Sequence, residues 1–230
     1  MKRTAFWVTL SLAAALLVAT SASANLLVNG DFEDDNFGIP GWVPGWTITT
    51  FWWPGWGTQP PLLDRKTGYS TFTGTGIPFS GNYFLATDIM GHANFHVGAY
   101  QSFSVTPGAT YLVTGGFMGG VQQSNDTAWW EVKVADGTTS DPDAPGTVIA
   151  KKERPANQGF FQFRETFAGT FTANSSTATI FLKWGRAQSA DYVISAGGFD
   201  NLVVVPEPAS ILALASGLAG MAGLALRRRA

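Results

Sequence analysis

Tryptophans cluster between residues 41 and 57, in the stretch GWVPGWTITTFWWPGWG. The chain has nine tryptophans, and this stretch holds Trp42, Trp46, Trp52, Trp53 and Trp56. An indole ring can stack on the apolar C–H face of a sugar, and a ring on a stiff loop loses little conformational entropy in doing so. The cluster therefore suggests carbohydrate binding, with ordinary packing under a long loop as the alternative.

Strand periodicity separates these tryptophans. Side chains alternate along an extended strand, so Trp52 and Trp53 fall on opposite faces, and Pro54 then ends that strand. Trp56 follows in a proline-bounded loop. We predict that Trp53 and Trp56, with Trp42 as a weaker third, contact a ligand; the alternative, in which all of them pack against protein, stays open.

Residue types and spacing indicate no catalytic constellation. The chain has no cysteine, which excludes thiol catalysis and Cys-ligated zinc, and neither G-x-S-x-G nor H-E-x-x-H occurs. His92 and His96 are flanked by glycines between predicted strands, which favours a loop and strand-start pair over a zinc site. A glycosidase needs two carboxylates at a set separation, and spacing singles out no pair among Asp64, Asp88, Glu131, Glu165 and Asp191. We predict that the protein is not an enzyme.

The N-terminal segment, residues 1–24, has the three parts of a secretory signal peptide. Lys2 and Arg3 form a basic start, Ala5–Ala19 is largely apolar, and Ala22-Ser23-Ala24 is a small-residue cleavage site. We predict removal by signal peptidase, which leaves Asn25 as the first residue of the exported protein.

The C-terminal segment has the features of a membrane span. Ala209–Leu226 contains eighteen residues without a charge, which as a helix would measure about 27 Å, close to the thickness of the hydrocarbon core of a bilayer. Arg227, Arg228 and Arg229 follow at once, and basic residues favour the cytoplasmic side. We predict a single transmembrane helix that leaves the body of the protein outside.

Residues 206–230 resemble the PEP-CTERM sorting signal of Gram-negative bacteria. Pro206-Glu207-Pro208, the apolar helix and the arginine cluster Arg227–Arg229 occur in that family's order. The resemblance implies recognition of the Pro-Glu-Pro segment by an exosortase, removal of the tail, and delivery from an inner-membrane intermediate to the cell surface or extracellular matrix. The membrane contact is then transient. Two prolines keep the segment extended, as a peptide in an enzyme cleft requires.

The body between the signals, residues 25–205, is long enough for one domain with a core. It contains nine basic and fifteen acidic residues, a balance of about −6 that the whole-chain charge of −2 hides. A moderately acidic domain without a basic patch argues against nucleic acid as a partner.

Short runs of alternating or apolar residues, bounded by turn residues, predict an all-β body. About nine or ten strands in one domain imply a two-sheet sandwich. The clearest candidates are Asn82–Ile89, Ala99–Val105, Thr110–Met118, Ala128–Ala135, Phe160–Thr172, Thr177–Trp184 and Phe199–Val205.

Motifs spread over the body resemble the galactose-binding-like jelly rolls of secreted carbohydrate-binding modules. They are NLLVNGDFED (25–34), GWTI (45–48), QSFSVTPGATYLVTG (101–115), ATIFLKW (178–184) and GGFDNLVV (197–204). The resemblance implies a jelly-roll β-sandwich in which the first and last strands pair or lie close. It also implies that Trp46 packs inside the sandwich.

That family often holds a structural Ca²⁺ between the opening motif and the last strand. The matching positions are Glu33 and Asp200, with Asn29 and Asp31 nearby. Calcium takes six to eight oxygen ligands, many of them backbone carbonyls. The alternative is that both carboxylates only make hydrogen bonds at turns and strand ends.

The address and the fold together predict an exported protein that binds extracellular polysaccharide without catalysis. One alternative is a structural biofilm-matrix protein that self-associates through exposed edges or its aromatic loop. The other is a polysaccharide hydrolase.

Overall fold

The computed structural model describes residues 25–34, 43–50, 62–65, 78–91, 95–121, 128–154, 161–186 and 193–207. The predicted signal peptide and most of the C-terminal signal lie outside these ranges. Within them the regular structure is all strand: β1 Thr47–Thr50, β2 Leu62–Arg65, β3 Tyr83–Gly91, β4 Phe95–Ser104, β5 Thr110–Val121, β6 Ala128–Asp136, β7 Gly146–Glu153, β8 Phe161–Thr172, β9 Thr177–Arg186 and β10 Val193–Pro206.

The strands form two five-stranded antiparallel sheets. Sheet I has the order β1-β4-β9-β6-β7 and sheet II the order β2-β3-β10-β5-β8. From β3 to β10 the chain changes sheet at every connection except the β6–β7 hairpin, which is the winding of an eight-stranded jelly roll. Strands β1 and β2 each add one strand to a sheet edge. The predicted jelly-roll sandwich is confirmed.

The sequence predicted strands that bury one face in the core, and it missed β7, which buries neither of its faces. The candidate Thr177–Trp184 is β9, and Phe160–Thr172 is β8. Strand β7 was not among the predictions, because its sequence GTVIAKKE is polar or half-exposed on both sides. It lies at the edge of sheet I and pairs only with β6, so no apolar alternation marks it.

The core lies between the sheets and is built on alternation. The inward-facing residues of β6 and β9 are Trp130, Val132, Val134, Ile180, Leu182 and Trp184, all buried. Glycines on sheet II make room for the largest of them. A Cβ built on Gly119 would lie 2.1 Å from Cε2 of Trp130, and one on Gly197 would lie 2.5 Å from its Nε1. The indole thus packs directly on the backbone of sheet II.

This close approach makes Gly119→Ala a test of the packing. The added methyl group must push Trp130 or the sheet aside, so we expect the free energy of unfolding in urea to fall by about 1–3 kcal/mol. Thr170→Ala, on the exposed face of β8, is the control and should change it by less than about 0.5 kcal/mol. Equal stabilities of the two variants would contradict the packing described.

Candidate functional site

The outer face of sheet I carries aromatic and charged side chains. Burial of Trp130 and Val132 on the inner side places Trp129, Glu131 and Lys133 of β6 on the outer side. The register sets these three opposite Gly185, Lys183 and Phe181 of β9. We call the outer surface formed by β4, β9 and β6 the β4–β9–β6 face.

An ion pair lies at the centre of the β4–β9–β6 face. Nζ of Lys183 is 2.8 Å from Oε1 of Glu131, and the two side chains are only 6% and 11% exposed. The same Nζ lies 5.7 Å from the ring centre of Trp129, which is half-buried. Charges this far from bulk water are weakly screened by salt. The pair therefore presents fixed polar groups beside an aromatic ring.

The connection between β6 and β7, residues 137–145, folds over one end of this face. The carbonyl oxygen of Pro142 accepts hydrogen bonds from Nζ of Lys133 (3.2 Å) and of Lys183 (3.0 Å), and the hydroxyl of Thr179 accepts a backbone N–H of the connection at 3.2 Å. Burial, followed by the neighbouring Lys183, lowers the pKa of Lys133. The two lysines thus attach this connection to the sheet as a wall of the face.

Glycines interrupt the side chains next to Trp129. Gly185 lies opposite it on β9, and in the next row Gly98 of β4 lies opposite Lys183. The row beyond Lys183 carries Tyr100 and Phe181, whose ring centres are 5.6 Å apart at 37°.

A second polar group lies on the outer side of sheet II, around Asp200 of β10. This carboxylate is fully buried. Its Oδ2 accepts the backbone N–H groups of Phe79 and Ser80, and its Oδ1 accepts that of Asn201 at 2.7 Å. Burial raises the pKa of Asp200 to about 6; the hydrogen bonds oppose the shift, and the nearby carboxylate of Glu33 adds to it.

Glu33 holds the same loop from its other side. Its Oε1 accepts the backbone N–H groups of Asn82 (2.8 Å) and Tyr83 (2.9 Å). Gly81 between these contacts has a φ of 61°, and a Cβ there would lie 2.2 Å from Oε1 of Glu33. Only glycine lets the loop wrap this closely around the carboxylate.

These two carboxylates fit a cation in part. Neither Glu33 nor Asp200 forms an ion pair with a lysine or arginine of the described residues, and oxygen ligands suit Ca²⁺. Within the same part of the chain, however, no three acidic or histidine side chains come together as a metal group. Both carboxylates accept backbone N–H groups, as in the hydrogen-bonding alternative.

The other predicted calcium residues have different surroundings. Nδ2 of Asn29 donates to the carbonyl oxygen of Pro44 at 3.0 Å, and its Oδ1 accepts the N–H of Asp34 at 3.1 Å. Its side chain thus ties the opening motif to the turn before β1. Asp31 is exposed.

The predicted ligand tryptophans Trp42, Trp53 and Trp56 lie outside the described residues. Trp46 is buried in the core, as predicted, and its Nε1 donates to the carbonyl oxygen of Asn29 at 3.1 Å. Sequence reasoning overlooked Trp129, although its alternation with Glu131 and Lys133 was a signal for an amphipathic outer face.

Of the sorting-signal residues, only Pro206 and Glu207 are described. Pro206 is the last residue of β10, and the N–H of Glu207 donates to the carbonyl oxygen of Thr110 at 2.9 Å. Pro208 and the arginines Arg227, Arg228 and Arg229 lie outside. The described ranges contain no helix that is long and apolar enough to cross a membrane.

Residues 204–229 match the family model of the PEP-CTERM protein-sorting motif. The predicted sorting signal at residues 206–230 is therefore confirmed, with a match that begins two residues earlier. No curated protein matches the chain in sequence.

Several solved structures are similar in fold. TmCBM61, solved with β-1,4-galactotriose, is 15% identical with a TM-score of 0.43 over 80% of this chain and 100% of that one. The CBM22-1 xylan-binding domain of Xyn10C from Paenibacillus barcinonensis is 15% identical, with a TM-score of 0.40 over 80% and 96%. The enzymatically active domain of tailspike protein 4 from bacteriophage CBA120 is 10% identical, with a TM-score of 0.41 over 80% and 21%. At these levels the likenesses assign neither a ligand nor an activity to this chain.

The raised pKa of Asp200 predicts a specific pH dependence of stability in the presence of a chelator. Between the unfolded value of about 4 and the folded value of about 6, the folded chain keeps a proton that the unfolded chain has lost. The free energy of unfolding should therefore fall as pH rises through this window, by up to about 3 kcal/mol, and level off above it.

Urea denaturation at pH 4.5 and 6.5 measures this effect, with Asp200→Asn as the reference for all other titrating groups. The carboxamide keeps one acceptor oxygen but cannot ionise. If the difference between wild type and the variant is the same at both pH values, the prediction is wrong.

Proposed function

We propose that this is an exported protein that binds extracellular polysaccharide, without catalysis, on the β4–β9–β6 face. The observation that supports this proposal most is the position of the Trp129 indole beside the ion pair of Glu131 and Lys183. Sugar rings have apolar C–H faces and polar edges, so they suit an aromatic plane next to fixed donors and acceptors.

The energetics of such a face support this proposal. Glu131 and Lys183 are already desolvated, and their ion pair fixes both side chains. A ligand hydroxyl that bonds to them would therefore not have to immobilise two flexible charged side chains. The carbonyl oxygen of Pro142 also fixes Lys133 and Lys183 by accepting a hydrogen bond from each. Pre-organisation of this kind favours binding of a flexible polymer.

The polar arrangement favours binding over hydrolysis. A glycosidase needs one carboxyl group as acid and a second as base or nucleophile. Glu131 is engaged by Lys183, and Asp143, whose Oδ1 lies 4.0 Å from the same Nζ, has a side chain that is 79% exposed. An ion-paired carboxylate and a largely exposed one do not form the enclosed pair of carboxyl groups that hydrolysis requires.

The sorting motif supports the location and the processing partners. Its match over residues 204–229 indicates export through an exosortase in a Gram-negative bacterium. We propose a precursor that is cut by signal peptidase before Asn25, passes through an inner-membrane intermediate, and reaches the cell surface or the extracellular matrix.

We also propose that Glu33 and Asp200 hold a structural Ca²⁺. A divalent cation would offset the desolvation of Asp200 and the repulsion between the two carboxylates. Its role would be to keep the loop from Phe79 to Tyr83 on sheet II rather than to contact the polysaccharide.

Glycan binding is tested by Trp129→Ala in the exported body, on an array of bacterial and plant polysaccharides followed by titration calorimetry. We expect at least about tenfold weaker binding, equivalent to ~1.4 kcal/mol, because the stacking surface is lost. Trp129→Phe should retain part of the affinity. Lys152→Gln is the charge control, because Lys152 pairs with Glu165 on β8 rather than with the face.

Trp53→Ala and Trp56→Ala, added to the same series, test the aromatic loop predicted from the sequence. Unchanged binding by Trp129→Ala would refute this face as the site. Absence of glycan binding together with concentration-dependent association would favour the structural matrix role, and turnover of a polysaccharide would establish the hydrolase.

The calcium proposal predicts that EDTA lowers the Tm of the exported body and that added Ca²⁺ restores it. At a Ca²⁺ concentration about 100 times the Kd, the stabilisation is about 2.7 kcal/mol, or roughly 5–10 °C for a domain of this size. Glu33→Gln should reduce the response, whereas Asp34→Asn, an exposed neighbour, should not. An unchanged Tm on chelation would refute a structural ion.

A further inference from the structure

The sorting motif begins inside the folded sandwich. Its match starts at residue 204, whereas β10 continues to Pro206. Val204, Val205 and Pro206 are paired in register with β5. Beyond the strand, the N–H of Glu207 still donates to the carbonyl oxygen of Thr110 at 2.9 Å. Two of the three Pro-Glu-Pro residues are therefore engaged by sheet II.

The opposite edge of β10 is covered by the opening residues of the body. Strand β3 pairs with β10 only as far as Phe199, and residues 25–30 take its place beyond that point. We call them the N-terminal strap. Leu26 N–H donates to the carbonyl oxygen of Val204 (3.0 Å), and Leu202 N–H donates to that of Gly30 (2.7 Å).

Asn25 closes the strap with its side chain. Its Nδ2 donates to the carbonyl oxygen of Leu202 at 2.7 Å, and its Oδ1 accepts the N–H of Val204 at 2.9 Å. The side-chain amide thus acts as one more residue of a neighbouring strand. Asn25 is also the residue predicted to become the N-terminus, so the two ends of the exported body meet here.

The strap is fixed to sheet I as well. Gln101 of β4 accepts the N–H of Val28 at 2.8 Å and donates to its carbonyl oxygen at 3.0 Å. Leu27 is buried in the core. The strap therefore binds to the folded sandwich rather than to β10 alone, and it can hold β10 only when both sheets are formed.

We propose that the folded sandwich occludes the start of its own sorting motif, and that processing requires the end of β10 to separate from β5 and the N-terminal strap. An enzyme cleft binds an extended segment through free backbone groups, but residues 202–205 already use theirs, alternately toward the N-terminal strap and toward β5. Local opening of residues 202–207 thus sets the rate of tail removal. This inference rests on the proposed exosortase processing.

A reversible crosslink tests the need for opening. Val205 and Leu112 are paired in register, and the chain has no cysteine of its own, so Val205→Cys/Leu112→Cys can lock β10 to β5. Thr114→Cys/Ala168→Cys, a register pair between β5 and β8, is the matched crosslink that leaves β10 free. Thiol titration confirms that each bond has formed.

Pulse-chase labelling in cells that process the full chain measures the rate of tail removal, which is seen as a decrease in the mass of the chain. We expect the β10 lock to slow tail removal at least about tenfold and a reductant to restore it, while the β5–β8 crosslink has no effect. Equal rates for the locked chain and wild type would overturn the inference alone. Retention of the tail by wild type would overturn the proposed processing and this inference with it.

A second variant weakens the strap without touching the cleavage site. A Cβ on Gly30 would lie 2.3 Å from the carbonyl oxygen of Leu202, so Gly30→Ala must push the strap off β10. Gly146→Ala is the matched control, because its Cβ would lie equally close, 2.3 Å, to the carbonyl oxygen of Val134 on β6. We expect faster tail removal for Gly30→Ala only; equal acceleration in both would show a general loss of stability and would overturn the role of the strap.

Discussion

The rest of the structure depends on the hydrogen bonding of β10. This strand lies in the middle of sheet II between β3 and β5. Its Gly197 has no side chain, and this leaves room for the indole of Trp130 in the core. The carboxylate of Asp200 on the same strand accepts the backbone N–H of Phe79. The last residues of β10 bind the N-terminal strap. Trp130 belongs to sheet I, and the N-terminal strap also binds Gln101 of that sheet. A change in these contacts of β10 therefore affects both sheets.

The buried carboxylate of Asp200 and the ion pair of Glu131 and Lys183 show two ways of keeping charge out of water. The ion pair compensates itself, with an N–O distance of 2.8 Å. Within the described part of the chain, Asp200 accepts hydrogen bonds from three backbone N–H groups and forms no ion pair, and burial raises its pKa to about 6. A buried carboxylate without a cationic partner favours a proton or a cation.

The proposed binding face and the sorting motif lie on different sheets. Trp129 and Lys183 belong to the outer side of sheet I, and Pro206 to the end of β10 in sheet II. Ligand contacts on the first sheet therefore leave the hydrogen bonds of β10 intact. Such separation is consistent with the proposed order of events, in which export is complete before a polysaccharide is bound.

The sequence by itself was sufficient for the sorting signal and a two-sheet sandwich, because both depend on local order: three motifs in succession, and strands such as β9 with one apolar face. The jelly-roll winding was implied by the resemblance of its motifs to carbohydrate-binding modules. The sequence could not indicate β7, where neither face is buried, nor the β4–β9–β6 face. That face exists because the register sets Glu131 beside Lys183, residues far apart in the chain. The engagement of Pro206 and Glu207 by β5 was equally hidden, since hydrogen bonding across a sheet leaves no pattern within a single strand. Only the tertiary structure decided which of these residues meet.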